Sequence, residues 1–189
     1  MQLDGKTIAI LIAPRGTEDV EFVRPAKALA DAGAKIVAVS LEAGAAETVN
    51  QDLDPGSRHP VDATVSDVSA SGFDGLVIPG GTVGADKIRG SAEAVAFVRG
   101  FFEAGKPVAA ICHGPWALVE AGVLEGRRLT SFPSLATDIR NAGGHWTDAE
   151  VVVDQGLVTS RKPDDLEAFC ARMIEEFAEG PHAGQRRSA

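Results

Sequence analysis

The amino-acid sequence predicts an α/β fold, a flavodoxin-like three-layer sandwich with a mostly parallel central sheet. Three apolar runs lack the alternation of half-exposed strands, and such runs are typical of strands covered by helices on both faces; they lie at 6–13, 73–78 and 108–111. Apolar residues with helical spacing separate these runs. A β-α-β order of this kind requires right-handed crossovers and therefore a parallel sheet.

The N-terminal half is predicted to contain two strands joined by a helix. Phe22, Ala26 and Leu29 recur at helical spacing, and Gly33 ends the pattern. A polar segment with several Gly and Pro residues follows the second strand, so we expect an irregular excursion or a short hairpin at the sheet edge. The predicted strand, turn, helix, strand and excursion span 6–13, 14–17, 19–32, 35–41 and 43–66.

The C-terminal half alternates further strands and helices and ends in an antiparallel pair and a last helix. Pro163 followed by two acids is the expected opening of that helix, because proline and negative charge are favoured in a first turn. Cys170 lies on its apolar face. The predicted strands span 73–78, 108–111, 129–132, 149–153 and 157–160, and the helices are centred on 94–101, 114–122, 135–141 and 163–177.

Composition restricts the class of protein. The 189 residues suit one domain over 1–179 with a polar tail, expected to be disordered, over 180–189. A formal net charge of −9 argues against nucleic-acid binding. The chain has no apolar run of about 18 residues and no signal-peptide pattern, so we expect a cytoplasmic protein without membrane contact. Four histidines and two cysteines lack metal-ligand spacing, so neither a metal nor a cofactor is expected.

Cys112 occupies the predicted turn between a buried strand and a helix. Val108 to Ile111 form the strand, and Gly114-Pro115 begins the helix. Such a turn, a nucleophile elbow, strains the backbone and presents the side chain above the sheet. The N–H groups and dipole of the next helix favour a thiolate. We therefore predict an accessible nucleophilic cysteine, the alternative being a small apolar side chain in the core.

Residues that follow other parallel strands should gather around Cys112, because their carboxyl ends meet at one edge of the sheet. Beside the sulfur, Glu18 would have a raised pKa and donate a hydrogen bond in its protonated form; an acid at a helix N terminus is equally well explained by the dipole alone. Gly80-Gly81 allows close approach of a ligand, so the N–H groups of Gly81 and His113 are predicted to form an oxyanion hole.

His113 is the candidate base, but it follows Cys112 directly and reaches the sulfur only if the turn is sharp. It also needs an orienting carboxylate. Asp86, seven residues after Pro79, is the candidate, although an exposed aspartate is the commoner outcome. His59 and His145 are predicted to be surface or loop residues.

Five short segments, in order over residues 6–177, match one known pattern: Thr17–Glu21, Ile78–Gly81, Ala110–Pro115, Asn141–Gly143 and Ala149–Asp154. Through them the chain resembles the ThiJ/PfpI superfamily, and most of all its PfpI-type intracellular peptidases and general stress proteins. The resemblance implies a flavodoxin-like fold, a homodimer or higher oligomer of dimers, Cys112 as nucleophile, Glu18 as its protonated partner and His113 as base.

In the peptidase branch, the orienting acid comes from a neighbouring subunit just after the Pro-Gly-Gly turn. Asp86 matches that place, although the archetype has Glu and a loop one residue shorter, so Asp86 is expected near a subunit interface. The His-x-Glu pair of the related glutamine amidotransferases has no counterpart at 160–164, which disfavours that activity.

Two classes of function follow. The first is a stress-related cysteine-dependent hydrolase, acting either on a peptide or amide or, as a deglycase or glyoxalase, on α-oxoaldehydes such as methylglyoxal and their adducts. The sequence does not separate these substrates. The second is a redox sensor or chaperone-like stress protein without turnover, in which Cys112 is oxidised to a sulfinate. Contact between Asp86 and His113 would favour the peptidase.

Overall fold

A computed structural model describes residues 1–185 of the chain. The strands within this range are, in chain order, Thr7–Leu11 (β1), Arg15–Glu18 (β2), Lys35–Ser40 (β3), Ala45–Asn50 (β4), Asp54–Pro60 (β5), Ala63–Thr64 (β6), Gly75–Ile78 (β7), Val108–Ile111 (β8), Arg128–Leu129 (β9), His145–Trp146 (β10), Val151–Asp154 (β11) and Leu157–Ser160 (β12). The α-helices are Asp19–Asp31 (α1), Thr82–Arg89 (α2), Ala92–Glu103 (α3), Pro115–Ala121 (α4), Ala136–Asn141 (α5) and Leu166–Glu179 (α6).

The central layer is a seven-stranded sheet with the order β11-β12-β8-β7-β1-β3-β6. Every neighbouring pair is parallel except β11 and β12, which are antiparallel. The mostly parallel sheet is therefore confirmed. Strand β8, which leads to Cys112, lies between β7 and β12, so the carboxyl ends of buried strands surround the cysteine on both sides.

Side chains of the central strands alternate between two apolar layers, which explains why these strands show no polar face. In β1, Ile8 and Ile10 pack with Phe22 of α1 and Phe169 of α6. Ala9 and Leu11 join the opposite cluster, whose members on α2 to α5 include Ile88, Phe97, Phe101, Leu118 and Ile139. The sheet thus has helices on both faces, and the three-layer sandwich is confirmed.

The N-terminal segments differ from the prediction in one respect that matters for the site. Residues 14–17 were expected to form a turn, but most of them belong to β2, which pairs in parallel with β4. Strands β4 and β5 form the hairpin allowed for in 43–66, and together with β2 they make a separate three-stranded sheet. The pairing partners lie about 30 residues apart, so local patterns did not reveal this sheet.

Helix α2 was absent from the prediction. It begins at Thr82, directly after Gly81, and its buried residues are small or few: Gly84, Ala85 and Ile88. This composition gives a weak apolar period, which explains the omission. No helix among residues 1–185 has the length and apolar character needed to cross a bilayer.

Part of the predicted tail is packed against the domain. Gln185 is fully buried, and its amide nitrogen donates to the carbonyl oxygens of Lys106, at 3.1 Å, and Gly156, at 3.4 Å. Its amide oxygen accepts from Arg127 at 2.9 Å. These contacts join residues 180–185 to the edge of the sheet, whereas 186–189 lie outside the described residues.

Replacement of Phe101 by Ala should destabilise the domain strongly. Phe101 is fully buried and packs edge-on against Phe97, with ring centroids 5.2 Å apart. We expect Phe101→Ala to lower the free energy of unfolding by about 3–5 kcal/mol, measured by urea denaturation. Leu53→Ala is the matched control, because Leu53 is 87% exposed and its loss should cost no more than about 0.5 kcal/mol. Equal losses would contradict this placement of the core.

Candidate active site

Cys112 forms the turn between β8 and α4, with a φ angle of +59°. A left-handed conformation is strained for a residue with a side chain and persists only where its surroundings enforce it. Two backbone hydrogen bonds do so here: the Cys112 N–H donates to the Ser160 carbonyl at 3.1 Å, and the Cys112 carbonyl accepts from the Phe132 N–H at 2.8 Å. The expected elbow geometry is therefore present.

The side chain of Cys112 is less accessible than expected, with only 7% of the residue exposed. The end of β7 comes so close that a Cβ atom on Gly80 would lie 2.6 Å from Cys112 Cβ and 2.8 Å from the His113 nitrogen. Only glycine permits this approach. It brings the N–H groups of Gly81 and His113 onto the Cys112 sulfur as hydrogen-bond donors.

Glu21 provides the carboxyl group that contacts this sulfur. Its side chain is fully buried and hydrogen-bonds Cys112, while Oε2 accepts from the Gly80 N–H at 2.8 Å. Oε1 has no hydrogen-bond partner among the described residues. Burial raises the pKa of Glu21 to about 8, so this carboxyl is mainly protonated at neutral pH.

Glu18, the predicted partner of the sulfur, is placed elsewhere. Its Oε1 accepts from the Gln51 N–H at 2.9 Å, and its Oε2 accepts from the Asp52 N–H at 3.1 Å. Both carboxylate oxygens of Glu18 therefore accept hydrogen bonds from the turn between β4 and β5. The prediction chose the acid at the strand end, whereas the acid that faces the sulfur comes one helical turn later.

The sequence does contain a signal for Glu21. It precedes Pro25 by four residues and Leu29 by eight, so all three lie on one stripe of helix α1, and all three are buried. A glutamate on an apolar stripe needs a partner, because a buried unpaired carboxylate is costly. Periodicity applied to Glu21 could therefore have identified it.

The titrations of Cys112 and Glu21 are coupled, because the two groups are in contact. Burial, followed by the charge of ionised Glu21, raises the pKa of the Cys112 thiol, whereas the Gly81 and His113 N–H groups lower it. Two negative charges in contact are unfavourable, so after one ionisation a single proton remains on the pair. Because the pKa of Glu21 is about 8 and burial raises that of the thiol above its ordinary value, Glu21 ionises first, and the remaining proton stays on Cys112 until a base removes it.

The imidazole of His113 folds back onto the Cys112 sulfur. The turn at Cys112 is therefore sharp enough for His113 to reach the sulfur as a base. Nδ1 lies 3.3 Å from Cys112 Sγ. Nε2 lies 3.4 Å from the hydroxyl oxygens of both Thr82 and Ser134. The ring stacks on Phe132 with a centroid distance of 4.7 Å. Burial lowers the pKa of His113, which keeps the ring neutral at physiological pH and able to accept a proton.

Asp86 is exposed on α2, and no described residue of the same chain hydrogen-bonds its carboxylate. The carboxylate that acts electrostatically on His113 within the chain is Asp52. Its Oδ1 accepts from the Thr82 N–H at 2.6 Å. Sequence reasoning missed Asp52, because the hairpin that carries it was treated as an irregular excursion.

The remaining histidine and cysteine candidates lie apart from Cys112. His59 Nε2 is 2.8 Å from Asp19 Oδ1 and is half-buried, and His145 is exposed in β10. Cys170 is buried on α6. Within 1–185, the group with metal-ligand spacing is at the end of α6, formed by Glu176, Glu179 and His182.

Removal of the titrating carboxyl at Glu21 should alter the reactivity of Cys112. The pKa of Glu21 is about 8 and that of the thiol is raised above its ordinary value, so Cys112 titrates beside an ionised carboxylate, and Glu21→Gln should lower the pKa of Cys112. The check is the pH dependence of alkylation by iodoacetamide, followed by mass spectrometry with Cys170→Ser as background.

Glu18→Gln is the matched control, because the same substitution there removes a charge that is bound to the hairpin. It should leave the alkylation curve nearly unchanged. A larger shift for Glu18→Gln than for Glu21→Gln would overturn the assignment. An upward shift for Glu21→Gln would show that Glu21 is still protonated when Cys112 titrates, which would contradict this order of ionisation.

The chain is similar to known proteins over most of its length. The profile of the DJ-1/PfpI family matches residues 6–176. Protein/nucleic acid deglycase 2 of Escherichia coli K12 is 43% identical over 165 residues, which cover 87% of this chain and 93% of that protein. YraA of Bacillus subtilis 168, named as a candidate cysteine protease, is 44% identical over 164 residues, covering 87% and 94%.

The likeness extends to three dimensions. The crystal structure of Drosophila melanogaster DJ-1beta superimposes with a TM-score of 0.82 and 31% sequence identity, covering 92% of this chain and 90% of that chain. Sequence motifs, sheet order and the match over nearly the whole domain agree. The chain belongs to the DJ-1/PfpI family.

Proposed function

We propose that this protein is a cysteine-dependent deglycase that acts on α-oxoaldehydes and on their adducts with amines. The observation that carries the proposal is the pair of proton-transfer groups on one sulfur: neutral His113 at 3.3 Å and the buried acid Glu21. Conversion of an α-oxoaldehyde to a hydroxy acid moves a proton between neighbouring carbons, so two such groups suit it.

The reaction begins with attack of Cys112 Sγ on the aldehyde carbon of methylglyoxal. The thiol proton passes to His113, and Glu21 donates its proton to the new alkoxide, giving a neutral hemithioacetal. For an amine adduct, the same carbon carries the amino group, and the amine leaves with one proton as the C–N bond breaks. The thiol-bound carbon is then ready for proton transfer.

The next steps use the same groups. Ionised Glu21 removes the hydrogen on the thiol-bound carbon and returns a proton to the neighbouring carbonyl carbon, while the hydroxyl proton of the thiol-bound carbon moves to the carbonyl oxygen, which yields a lactoyl thioester. His113, which has passed the thiol proton on to ionised Glu21 and is neutral again, deprotonates water. The hydroxide displaces the Cys112 thiolate from the thioester, and His113 returns the proton to the sulfur, which gives lactate and free Cys112. The net reaction is methylglyoxal plus water to lactate, with no external oxidant or reductant. The Gly81 and His113 N–H groups stabilise the negative oxygen that develops in each addition.

A peptidase is the second candidate. The name of the relative YraA favours it, and so does the nucleophile and base pair formed by Cys112 and His113. In that case Asp86 of a second subunit would orient His113, as the resemblance implies, and the active enzyme would be a homodimer or larger oligomer.

A redox sensor without turnover is favoured by one feature of the same site. Protonated Glu21 beside a cysteine is placed to donate a hydrogen bond to a sulfinate at Cys112. In that case oxidation of Cys112, and not turnover of a substrate, would be the functional event.

Turnover of methylglyoxal should depend on Cys112. We expect the wild-type protein to produce lactate from methylglyoxal, followed by proton NMR, and to release free amine from a preformed adduct of N-acetyl-lysine. Cys112→Ser should remove activity to background, and His113→Gln should lower kcat about 10²-fold or more. Cys170→Ser is the matched control and should keep wild-type activity, because Cys170 lies on α6.

The outcomes separate the candidate functions. Lactate production that survives Cys112→Ser would refute the proposal. Absence of lactate together with cleavage of a peptide substrate would favour the peptidase. Absence of both, with rapid oxidation of Cys112 to the sulfinate by peroxide, would favour the sensor.

The contribution of Asp86 is tested by dilution. If Asp86 of a second subunit orients His113, Asp86→Asn should lower peptide hydrolysis about tenfold or more, and the wild-type specific activity should fall on dilution below the dimer dissociation constant. Size-exclusion chromatography measures the oligomer at each concentration. Full activity of Asp86→Asn, or of a monomer, would exclude this role.

A further inference from the structure

We propose that Asp52, acting through the hydroxyl of Thr82, is a positioning residue that fixes His113 in the tautomer with an unprotonated Nδ1 facing Cys112. The four side chains form a row: Thr82 Oγ1 is 3.1 Å from Asp52 Oδ2 and 3.4 Å from His113 Nε2, and His113 Nδ1 is 3.3 Å from Cys112 Sγ. All of them belong to one chain.

The direction of each hydrogen bond follows from the chemistry of the groups. An ionised carboxylate only accepts, so the Thr82 hydroxyl hydrogen points to Asp52. The Thr82 oxygen then has only lone pairs left for His113, and Nε2 must carry the hydrogen that it receives. A neutral imidazole has one N–H, so Nδ1 is left as an acceptor for the thiol proton of Cys112. The 3.4 Å separation suits a catalytic contact that shortens when substrate binds.

Ser134 does not provide this selection. Its hydroxyl also lies 3.4 Å from Nε2, but the residue is exposed and no described residue receives its hydrogen from the other side. A hydroxyl that is free to rotate can donate to Nε2 or accept from it, so it stabilises either tautomer. The Thr82 hydroxyl is different because Asp52 determines where its hydrogen points.

Asp52 is held in place by the carboxylate of Glu18. Gln51 and Asp52 have φ angles of +53° and +65°, a strained corner for two residues that are not glycine. The Glu18 carboxylate accepts from both of their N–H groups, at 2.9 Å and 3.1 Å. Asp52 Oδ1 then accepts from the N–H of Thr82, and Asp52 Oδ2 accepts from the Thr82 hydroxyl. Glu18 therefore acts on the site through this corner and not through the sulfur.

The other groups that face His113 leave this assignment intact. They are the Cys112 sulfur with Glu21 behind it, the Ser134 hydroxyl, and the rings of Phe132 and Trp116. The two rings hold the imidazole plane but neither donates to Nε2. Burial lowers the pKa of His113, and the Asp52 charge opposes that effect. Loss of the charge should therefore lower the pKa further.

The inference rests on the proposed function only for its effect on turnover, and the tautomer is measurable without substrate. The readout is the pair of nitrogen-15 chemical shifts of the His113 ring, which distinguish protonated from unprotonated nitrogen. His113→Gln identifies the signal among the four histidines. The variants are Asp52→Asn, Thr82→Val and Thr82→Ser, with Asp54→Asn as matched control because Asp54 is an exposed aspartate in the same hairpin.

We expect the wild-type ring to be protonated at Nε2. Thr82→Val removes the hydroxyl but keeps the backbone N–H to Asp52, so the fold and helix start are retained while both tautomers become populated. In Asp52→Asn, the amide NH₂ can donate to Thr82, whose hydroxyl then donates to Nε2 and favours the wrong tautomer. Thr82→Ser should restore the wild-type shifts, and Asp54→Asn should not change them.

With methylglyoxal, Thr82→Val and Asp52→Asn should each lower kcat about 10²-fold with little change in KM, and Thr82→Ser should recover most of the loss. A wild-type ring protonated at Nδ1, or ring shifts that Thr82→Val leaves unchanged, would overturn the inference. If the wild type makes no lactate but the shifts respond as expected, the proposed function fails and the positioning role stands.

Discussion

The hydrogen bond between Glu21 and Cys112 is the contact on which the rest of the site depends. It joins helix α1 to the end of β8 across the carboxyl edge of the sheet, and it exists because Glu21 lies on the buried stripe of α1. Burial of an acid next to a thiol is costly unless the pair retains a proton. The site therefore combines a proton donor and a nucleophile before any substrate arrives.

Because Gly80 allows β7 to approach closely, the contact between Glu21 and Cys112 can form at a residue whose backbone is strained. Gly80 brings the end of β7 against Cys112, and the same approach places N–H donors on the sulfur. The strain at Cys112 is maintained by its hydrogen bonds to the Ser160 carbonyl and from the Phe132 N–H, which lie on segments far away in sequence. Backbone geometry, acid and base are thus parts of one packed unit.

The small sheet of β2, β4 and β5 lines one side of the active site. Its strands pair Arg15 to Glu18 with residues of the hairpin, and this pairing puts the Glu18 carboxylate under the hairpin turn. Asp52 is held there, next to the first residue of α2. The small sheet explains why two acids close in sequence have different roles. Glu18 holds the hairpin turn, whereas Glu21 contacts the sulfur.

The sequence by itself determined the layered fold, the positions of the main strands along the chain and the turn at Cys112, because apolar periodicity and glycine-proline signals are local properties. It also brought His113 and the Gly80-Gly81 turn to the right edge of the sheet. The buried stripe of α1 also contains a local signal for Glu21. Tertiary structure alone decided how far Cys112 is buried and that Asp52 reaches Thr82. Those outcomes depend on the pairing of β2 with β4 and on the approach of β7 to β8, and no local pattern encodes contacts between segments tens of residues apart.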